Sequence, residues 1–129
     1  MTRKILSIDG GGIKGVFPAS FLSVIEETTG KKISDYFDLI VGTSTGGIIA
    51  LGLGLGFSAK EILEFYEELG PKVFKGNKLI RFLRSIGISK YDNIALRKAL
   101  EKKFADKKLG ESKNRLVIPS LNLENGEVH

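Results

Sequence analysis

The sequence predicts an α/β fold: a mostly parallel sheet with helices on both faces, in a three-layer α/β/α arrangement. Short apolar runs alternate with longer segments of helical period, as in repeated strand-helix units. Two glycine-rich turns, Gly10 to Gly15 and Gly42 to Gly46, each join a strand to the helix that follows. The 129 residues, 42% hydrophobic, are enough for one core, so we expect residues 1–129 to form one domain or part of one.

The first two units occupy the front of the chain. Lys4 to Ile8 is predicted as a strand and Val16 to Glu27 as a helix, with Pro18 in its first turn, where no amide is needed. A second strand, Tyr36 to Gly42, leads to an apolar helix from Ile48 to Leu55. The apolar positions of the first helix are Phe17, Phe21, Val24 and Ile25.

A capping box starts the next helix, because Ser58 is followed three residues later by Glu61. The helix is predicted to reach about Leu69, and Gly70-Pro71 should end it. Residues 72 to 90 are irregular and basic, with one short helix expected around Leu79 to Ile86. The buried side of the capped helix is expected to comprise Ile62, Leu63, Phe65, Tyr66 and Leu69.

The last predicted elements are a helix and a strand. Asp92 or Asn93 caps a helix to about Phe104, and Arg115 to Leu123 is the third strand. Asn125-Gly126 then favours a two-residue hairpin, after which three residues remain. Because an abruptly ended, unpaired strand is a liability, we expect this chain to be the N-terminal part of a longer domain.

Composition limits the chemistry that the chain can perform. There is no cysteine, and the single histidine is His129, so thiolate metal sites and histidine triads are excluded. We expect neither a metal nor an organic cofactor. The amino terminus lacks the apolar stretch of a signal peptide, and the longest apolar run, Gly46 to Phe57, is too short to span a bilayer. The expected location is therefore the cytoplasm.

The net charge of +5 is unevenly distributed along the chain. Residues 1–70 contain six Lys or Arg against nine Asp or Glu, whereas residues 71–115 contain fourteen against four. Such a basic segment can attract phosphates, although lysines on outer helix faces often only solvate a domain. No aromatic-interleaved nucleic-acid motif occurs, so we expect no nucleic-acid partner; peripheral contact with an anionic membrane surface and plain solvation both remain open.

Gly42-Thr43-Ser44-Thr45-Gly46 is a G-x-S-x-G motif between an apolar strand and an apolar helix. In this context the motif is typical of a nucleophile elbow, in which a sharp turn lifts the serine hydroxyl clear of the sheet and needs glycine-sized neighbours. The N-terminal amides of the following helix carry partial positive charge toward the same place. Ser44 is therefore the candidate nucleophile, and Gly42, Thr43 and Gly46 complete the elbow.

Gly10, Gly12 and Gly15 spell G-x-G-x-x-G, which alone would suggest a dinucleotide site. Such a site also needs an acidic residue at the end of the second strand, but Asp35 and Asp38 precede or start that strand. The glycine loop is better explained as an oxyanion hole. Amides near Gly11 and Gly12, with the N–H of Thr45, would bind the oxygen that becomes negative when Ser44 adds to a carbonyl.

The segments "DGGGIKG" and "DYFDLIVGTSTGG", together with "VIPSLNLENGEV", closely resemble the patatin-like phospholipase family of lipid acyl hydrolases. The resemblance implies a Ser-Asp dyad without histidine, with Ser44 as nucleophile and an oxyanion loop at Gly10, Gly11 and Gly12. Lys14 stands where the family has Arg or Lys, and is interpreted equally well as a loop cation or an ordinary surface lysine.

One departure concerns the family's catalytic aspartate, which lies in a later D-G-G or D-G-A motif. Nothing after residue 46 matches it, and the only Asp-Gly-Gly begins at Asp9, within the glycine loop. Asp92 and Asp106 are interpreted as cap and surface residues. We therefore expect the base to belong to a portion outside this chain, so that the 129-residue piece is inactive alone.

The resemblance implies a phospholipase A-type enzyme that cleaves carboxylic ester bonds of phospholipids or related acyl lipids. Two alternatives remain open at this stage: a nucleotide-binding α/β domain that uses the glycine loop for phosphate, and a non-catalytic scaffold. Five apolar residues offer a wall for an acyl chain or a membrane-facing surface, although plain core is the favoured interpretation. They are Phe57, Phe65, Phe74, Leu79 and Phe82.

Overall fold

The computed structural model describes residues 2–73 and 94–129. The strands and helices are β1 (Ile5–Ile8), α1 (Val16–Thr29), β2 (Leu39–Gly42), α2 (Thr45–Gly54), α3 (Ala59–Val73), α4 (Ile94–Phe104) and β3 (Arg115–Val117). Short 3-10 turns occupy Gly12–Gly15, Ile33–Asp35 and Leu109–Glu111. The predicted helix around Leu79 to Ile86 and the predicted caps Asp92 and Asn93 lie outside the described residues.

The three strands form one sheet in the order β1-β2-β3, and both pairs are parallel. Ile40 in the centre pairs with Leu6 on one side and Leu116 on the other, so these three side chains share one face. The predicted α/β fold with a parallel sheet is confirmed. Because all strands run the same way, their carboxyl ends, including Ile8 and Gly42, meet at one edge.

The core lies on the face of the sheet that carries Ile8 and Ile40. Helices α1, α2 and α3 contribute most of the rest, together with Ile33 of the 3-10 turn, and Ile49 and Leu53 of α2 are fully buried there. On the opposite face, Ile5, Ser7 and Val117 are exposed. Among the described residues, the helices therefore cover one face of the sheet only.

Polar side chains fasten the helices to one another. The predicted capping box is confirmed, because Glu61 N–H donates to Ser58 Oγ at 3.1 Å and Ser58 N–H donates to Glu61 Oε2 at 2.7 Å. Glu26 of α1 adds a second cap, since its two carboxylate oxygens accept the N–H groups of Ile33 at 2.9 Å and Ala59 at 2.7 Å. One side chain thus ties α1 to the start of α3.

Three of the four apolar positions that mark the helical period of α1 are exposed. Phe17, Phe21 and Val24 are 77%, 60% and 57% exposed. The buried side of α1 is instead formed by smaller residues, Ala19, Leu22 and Ser23, because α1 packs closely against α3 and small side chains allow that approach.

Two predicted element ends also need correction. Helix α3 does not stop at Gly70-Pro71 but continues to Val73, because a proline in the last turn removes only one hydrogen bond. Strand β2 begins at Leu39 rather than Tyr36, since the 3-10 turn Ile33–Asp35 brings the chain to the sheet only at that point.

Strand β3 is shorter than predicted. It ends at Val117, and Pro119 follows two residues later without an N–H to continue the ladder. The chain then folds back on itself, with Ser120 and His129 exchanging two backbone hydrogen bonds of 2.8 Å. The turn between Asn122 and Glu127 contains four residues rather than two, and Gly126 supplies its positive φ of 72°.

No helix within residues 2–73 and 94–129 is both long and apolar enough to pass through a bilayer.

Candidate active site

Ser44 occupies the junction between β2 and α2. Its φ of 53° and ψ of −121° are unusual for a residue with a side chain, and its side chain is exposed. The turn closes tightly, because Gly46 N–H donates to Thr43 O at 2.8 Å and Gly47 N–H donates to Ser44 O at 3.0 Å. The chain thus changes from strand to helix within Thr43 and Ser44, and Ser44 is the N-cap residue at the positively polarised end of α2.

The glycines that flank Ser44 are required by close backbone contacts. A Cβ on Gly42 would overlap the carbonyl oxygen of Gly46, and a Cβ on Gly46 would overlap the carbonyl oxygen of Ile8. Both glycines are buried. The motif therefore places its two glycines where the backbones of β1, β2 and α2 come together, which leaves no room for any other residue type.

The glycine loop after β1 lies directly against this turn. Ile8 pairs with Gly42 in the sheet, and Thr43 N–H donates to Ile8 O at 3.3 Å, so both strands end side by side. A Cβ on Gly10 would lie only 2.8 Å from Ser44 Cβ. The two glycine motifs, more than 30 residues apart in the chain, form one site.

The loop amides are not all available to a reacting oxygen. Gly10 N–H donates to Thr43 Oγ1 at 3.0 Å, and Gly11 N–H donates to Thr45 Oγ1 at 3.2 Å. The N–H groups of Gly12 and Thr45 donate to no atom of the residues that the structure describes. In this conformation, Gly12 and Thr45 are therefore the amides open to a ligand, whereas the expected donors Gly10 and Gly11 are occupied.

Carboxylates lie both near the site and far from it. Asp9 is exposed at the start of the glycine loop. It directly follows Ile8, which pairs with Gly42 of the elbow. Asp38 accepts Lys4 N–H at 2.8 Å and so lies at the opposite, amino-terminal edge of the sheet. Asp35 belongs to the turn before that edge and Asp106 is exposed after α4, whereas Asp92 lies outside the described residues. Within the described ranges, no carboxylate is hydrogen-bonded to Ser44.

Tyr66 of α3 contacts both the start of α2 and the glycine loop. Its hydroxyl donates to Thr45 O at 2.8 Å, and its ring would lie 3.3 Å from a Cβ on Gly15. Burial raises the pKa of the Tyr66 phenol, so the hydroxyl stays protonated as a donor. The sequence predicted that Tyr66 is buried, which is confirmed, but not its bond; a tyrosine within an apolar stripe does indicate that its hydroxyl has a partner nearby.

A groove of about 370 Å³ lies beside the glycine loop, between β1 and α1. Its walls include Gly10 and Gly11 of the loop and the rings of Phe17 and Phe21. Lys14 is exposed at its margin. The groove is mostly apolar and borders the glycine loop at Gly10 and Gly11.

The proposed acyl-wall residues lie elsewhere. Phe65 is buried, and Phe57 packs edge-to-face on Phe104 with ring centroids 5.8 Å apart, so both belong to the core, which is the interpretation that the sequence favoured. Phe74, Leu79 and Phe82 lie outside the described residues. The exposed aromatic side chains near the site are instead Phe17 and Phe21.

Comparison with known proteins identifies a family and several relatives that are similar to this chain. A family model for patatin-like phospholipases matches residues 6–128. A cGAMP-activated phospholipase of Pseudomonas aeruginosa is 35% identical over 126 residues, which cover 97% of this chain and 38% of the relative. Patatin-like protein 2 of Oryza sativa subsp. japonica is 34% identical (94% of this chain, 34% of the relative), and Patatin-T5 of Solanum tuberosum is 34% identical (93% and 33%).

The chain thus spans between a third and two-fifths of the length of these relatives. Within that span, the match begins in β1 and extends through the glycine loop, the elbow and the final hairpin. The chain belongs to the patatin-like phospholipase family.

Proposed function

We propose that the protein is a lipid acyl hydrolase of the phospholipase A type, which cleaves carboxylic ester bonds of phospholipids or related acyl lipids with Ser44 as nucleophile. The observation that carries the proposal is the position of Ser44, strained and exposed between a helix N-terminus and a loop of backbone amides. Relatives named phospholipase and patatin support the same reaction class.

In the proposed reaction, Ser44 Oγ attacks the carbonyl carbon of the ester while a base removes the hydroxyl proton. The carbonyl oxygen becomes negative and accepts hydrogen bonds from the N–H groups of Gly12 and Thr45. The ester C–O bond then breaks, the alcohol leaves with the proton, and an acyl group remains on Ser44. Water attacks this acyl-enzyme by the same route, so that a fatty acid is released and Ser44 is restored.

We further propose that an aspartate supplies the base from a portion of the protein outside these 129 residues. No carboxylate of residues 2–73 or 94–129 is hydrogen-bonded to Ser44, and the resemblance to the family implies a Ser-Asp dyad in which the aspartate belongs to a D-G-G or D-G-A motif. The 129-residue piece would then be inactive alone.

The exposed face of the sheet also supports the proposal that part of the domain lies outside these 129 residues. Parallel sheets are normally buried on both faces, yet Ile5, Ser7 and Val117 have no cover among the described residues. Phe17 and Phe21 of α1 are exposed as well. Since the relatives are more than twice as long, we infer that this chain is the N-terminal part of a longer domain whose remainder covers these surfaces.

The decisive test is labelling of the full-length protein with a fluorophosphonate probe, which reacts with activated serines. We expect stoichiometric labelling, its loss in Ser44→Ala, and unchanged labelling in the control Ser120→Ala, whose side chain is exposed in the terminal hairpin. An unlabelled full-length protein would favour the non-catalytic scaffold. Asp9→Asn tests whether the one nearby carboxylate takes part: we expect labelling to persist.

The dinucleotide alternative gains no support from the site. Two amides of its G-x-G-x-x-G loop are occupied by threonine hydroxyls, and Gly42-Thr43-Ser44 follows β2 where a ribose-binding acid is required. We expect millimolar NAD or ATP to leave the melting temperature unchanged; a clear increase would revive this alternative.

We also propose peripheral contact with anionic membranes from the cytoplasmic side. Lys98 and Lys102 of α4 are exposed, whereas Lys103 is occupied by the Glu61 carbonyl at 3.1 Å and by the Phe57 ring. Binding of the full-length protein to vesicles that contain phosphatidylserine should weaken as salt rises and in Lys98→Glu/Lys102→Glu. Salt-independent binding would contradict this contact.

A further inference from the structure

We propose that the hydroxyls of Thr43 and Thr45 are positioning groups that hold the glycine loop in register with Ser44. This inference rests on the proposed function of Ser44 and gives the side-chain hydroxyls of Thr43 and Thr45 a role of their own. The hydroxyls flank the nucleophile on both sides and accept the N–H groups of two consecutive loop residues, Gly10 at 3.0 Å and Gly11 at 3.2 Å.

These two bonds fix the loop where the sheet no longer does. The ladder between β1 and β2 ends at Ile8 and Gly42, and the last backbone bond between the two segments is the long one from Thr43 N–H to Ile8 O, at 3.3 Å. Beyond that point, the hydrogen bonds between loop and elbow within the described residues are the two threonine bonds, and Gly10 also lies close to Ser44.

The two bonds also decide which amides face a reacting oxygen. With Gly10 and Gly11 committed to threonine oxygens, the next amide in the loop, that of Gly12, is left open together with the amide of Thr45. Gly12 has a φ of 59°, so the chain turns immediately after the two fastened residues. Loss of the bonds would let the loop shift relative to Ser44 and misplace the Gly12 donor.

A misplaced oxyanion donor weakens binding of the transition state more than binding of the ester. We therefore expect the threonine hydroxyls to act on kcat and to leave KM nearly unchanged. Displacement of a catalytic group by about 1 Å can cost roughly 100-fold in rate, so we expect a decrease of about 10- to 100-fold for each lost hydroxyl.

The test compares Thr43→Val and Thr45→Val with Thr43→Ser and Thr45→Ser in the full-length protein. Valine keeps the shape and removes the hydroxyl, whereas serine keeps the hydroxyl and removes the methyl. With the soluble ester p-nitrophenyl butyrate, the valine variants should lose kcat at constant KM, and the serine variants should restore kcat to within a few-fold of wild type. Thr29→Val is the control, since its hydroxyl bonds only Ile25 O within α1, and it should not change kcat.

The outcomes separate this inference from the proposed function. If the wild-type protein neither hydrolyses the ester nor takes the probe at Ser44, the proposed function fails. If the wild type is active and the valine variants keep its kcat, or if the serine variants are as impaired as the valine variants, the positioning role of the hydroxyls is wrong. Should a valine variant not fold, as judged by thermal melting, amide exchange decides: Gly10 and Gly11 N–H must be protected in the wild type and in the serine variants.

Discussion

Ser44 and Ala105 are the two residues other than glycine that adopt a positive φ within the described part of the chain, at 53° and 47°. Ser44 joins β2 to α2, and Ala105 directly follows α4. A sparsely populated backbone conformation of this kind costs a residue with a side chain about 1–3 kcal/mol. Both sites therefore carry backbone strain, which permits a comparison of their surroundings.

The surroundings of the two residues differ completely. Ala105 is exposed, and its N–H simply closes α4 through a 2.8 Å bond to Glu101 O, at a position that is normally occupied by glycine. Ser44 lies between two buried glycines, against Gly10, and next to a residue held by Tyr66. At the helix end, glycine could replace Ala105 and relieve the strain. At the elbow, contacts from β2, α2, the glycine loop and α3 hold the backbone in its strained conformation.

The largest effect is expected where those contacts are tightest. Gly46→Ala places a Cβ onto the carbonyl oxygen of Ile8, a backbone atom that cannot move without displacing β1. We expect a loss of about 3 kcal/mol or more in the free energy of unfolding, beyond the usual range for overpacking. Urea unfolding of the full-length protein, followed by circular dichroism, measures it.

The matched control is Gly110→Ala, in the turn that precedes β3. A Cβ on Gly110 meets nothing within 4 Å, and the residue is exposed. We expect a change within about 0.5 kcal/mol, as for other surface substitutions. Equal destabilisation by the two alanines would mean that the close packing around the elbow is not what distinguishes it from the rest of the chain.

A medium effect is expected for the hydrogen bond that supports the elbow from α3. Tyr66→Phe removes the hydrogen bond that the phenol donates to Thr45 O, the first carbonyl of α2. We expect a loss of about 1–2 kcal/mol in the free energy of unfolding. Tyr36→Phe is the control, because the Tyr36 hydroxyl donates to no atom of the described residues, and it should change stability little.

The same tyrosine predicts a dependence on pH. Burial raises the pKa of the Tyr66 phenol above its ordinary value of 10.0. Below pH 10, folded and unfolded chains both keep the proton, and the full contribution is present. As pH rises past 10, the unfolded chain releases the proton first, so the free energy of unfolding should fall. Tyr66→Phe should lack that part of the decline; an identical slope in both proteins would contradict burial of the phenol.

The elbow could be predicted from the sequence because its requirements are local. G-x-S-x-G between a strand and a helix predicts the turn at Ser44, and consecutive parallel strands predict that the glycine loop ends beside it. The side-chain hydrogen bonds of Thr43, Thr45 and Tyr66 could not be predicted. They join residues 21 to 34 positions apart, and packing sets the relative orientation of such residues. The strain at Ala105 was equally hidden, since no glycine or asparagine marks that helix end.

Packing also explains why three apolar residues of α1 are exposed. The helical period of α1 shows that Phe17, Phe21 and Val24 share a side, but period alone does not say what that side faces. The opposite side of α1, with Ala19 and Leu22, is the one that packs in the core. An apolar stripe identifies residues that share one side of a helix, but that side is buried only where another part of the protein packs against it.

The smallest effect is expected from glycine substitutions that relieve the backbone strain at Ser44 and at Ala105. Glycine adopts a positive φ without the steric cost, although it loses more entropy on folding, so Ala105→Gly should raise the free energy of unfolding by about 0.5–1 kcal/mol and leave fluorophosphonate labelling intact. Ser44→Gly should exceed Ser44→Ala in stability by a similar amount, while neither is labelled. Thermal melting and probe labelling of the four proteins check this. If Ser44→Gly gave no advantage over Ser44→Ala, the elbow would impose no backbone cost, and its unusual φ would not be strain maintained for the hydroxyl.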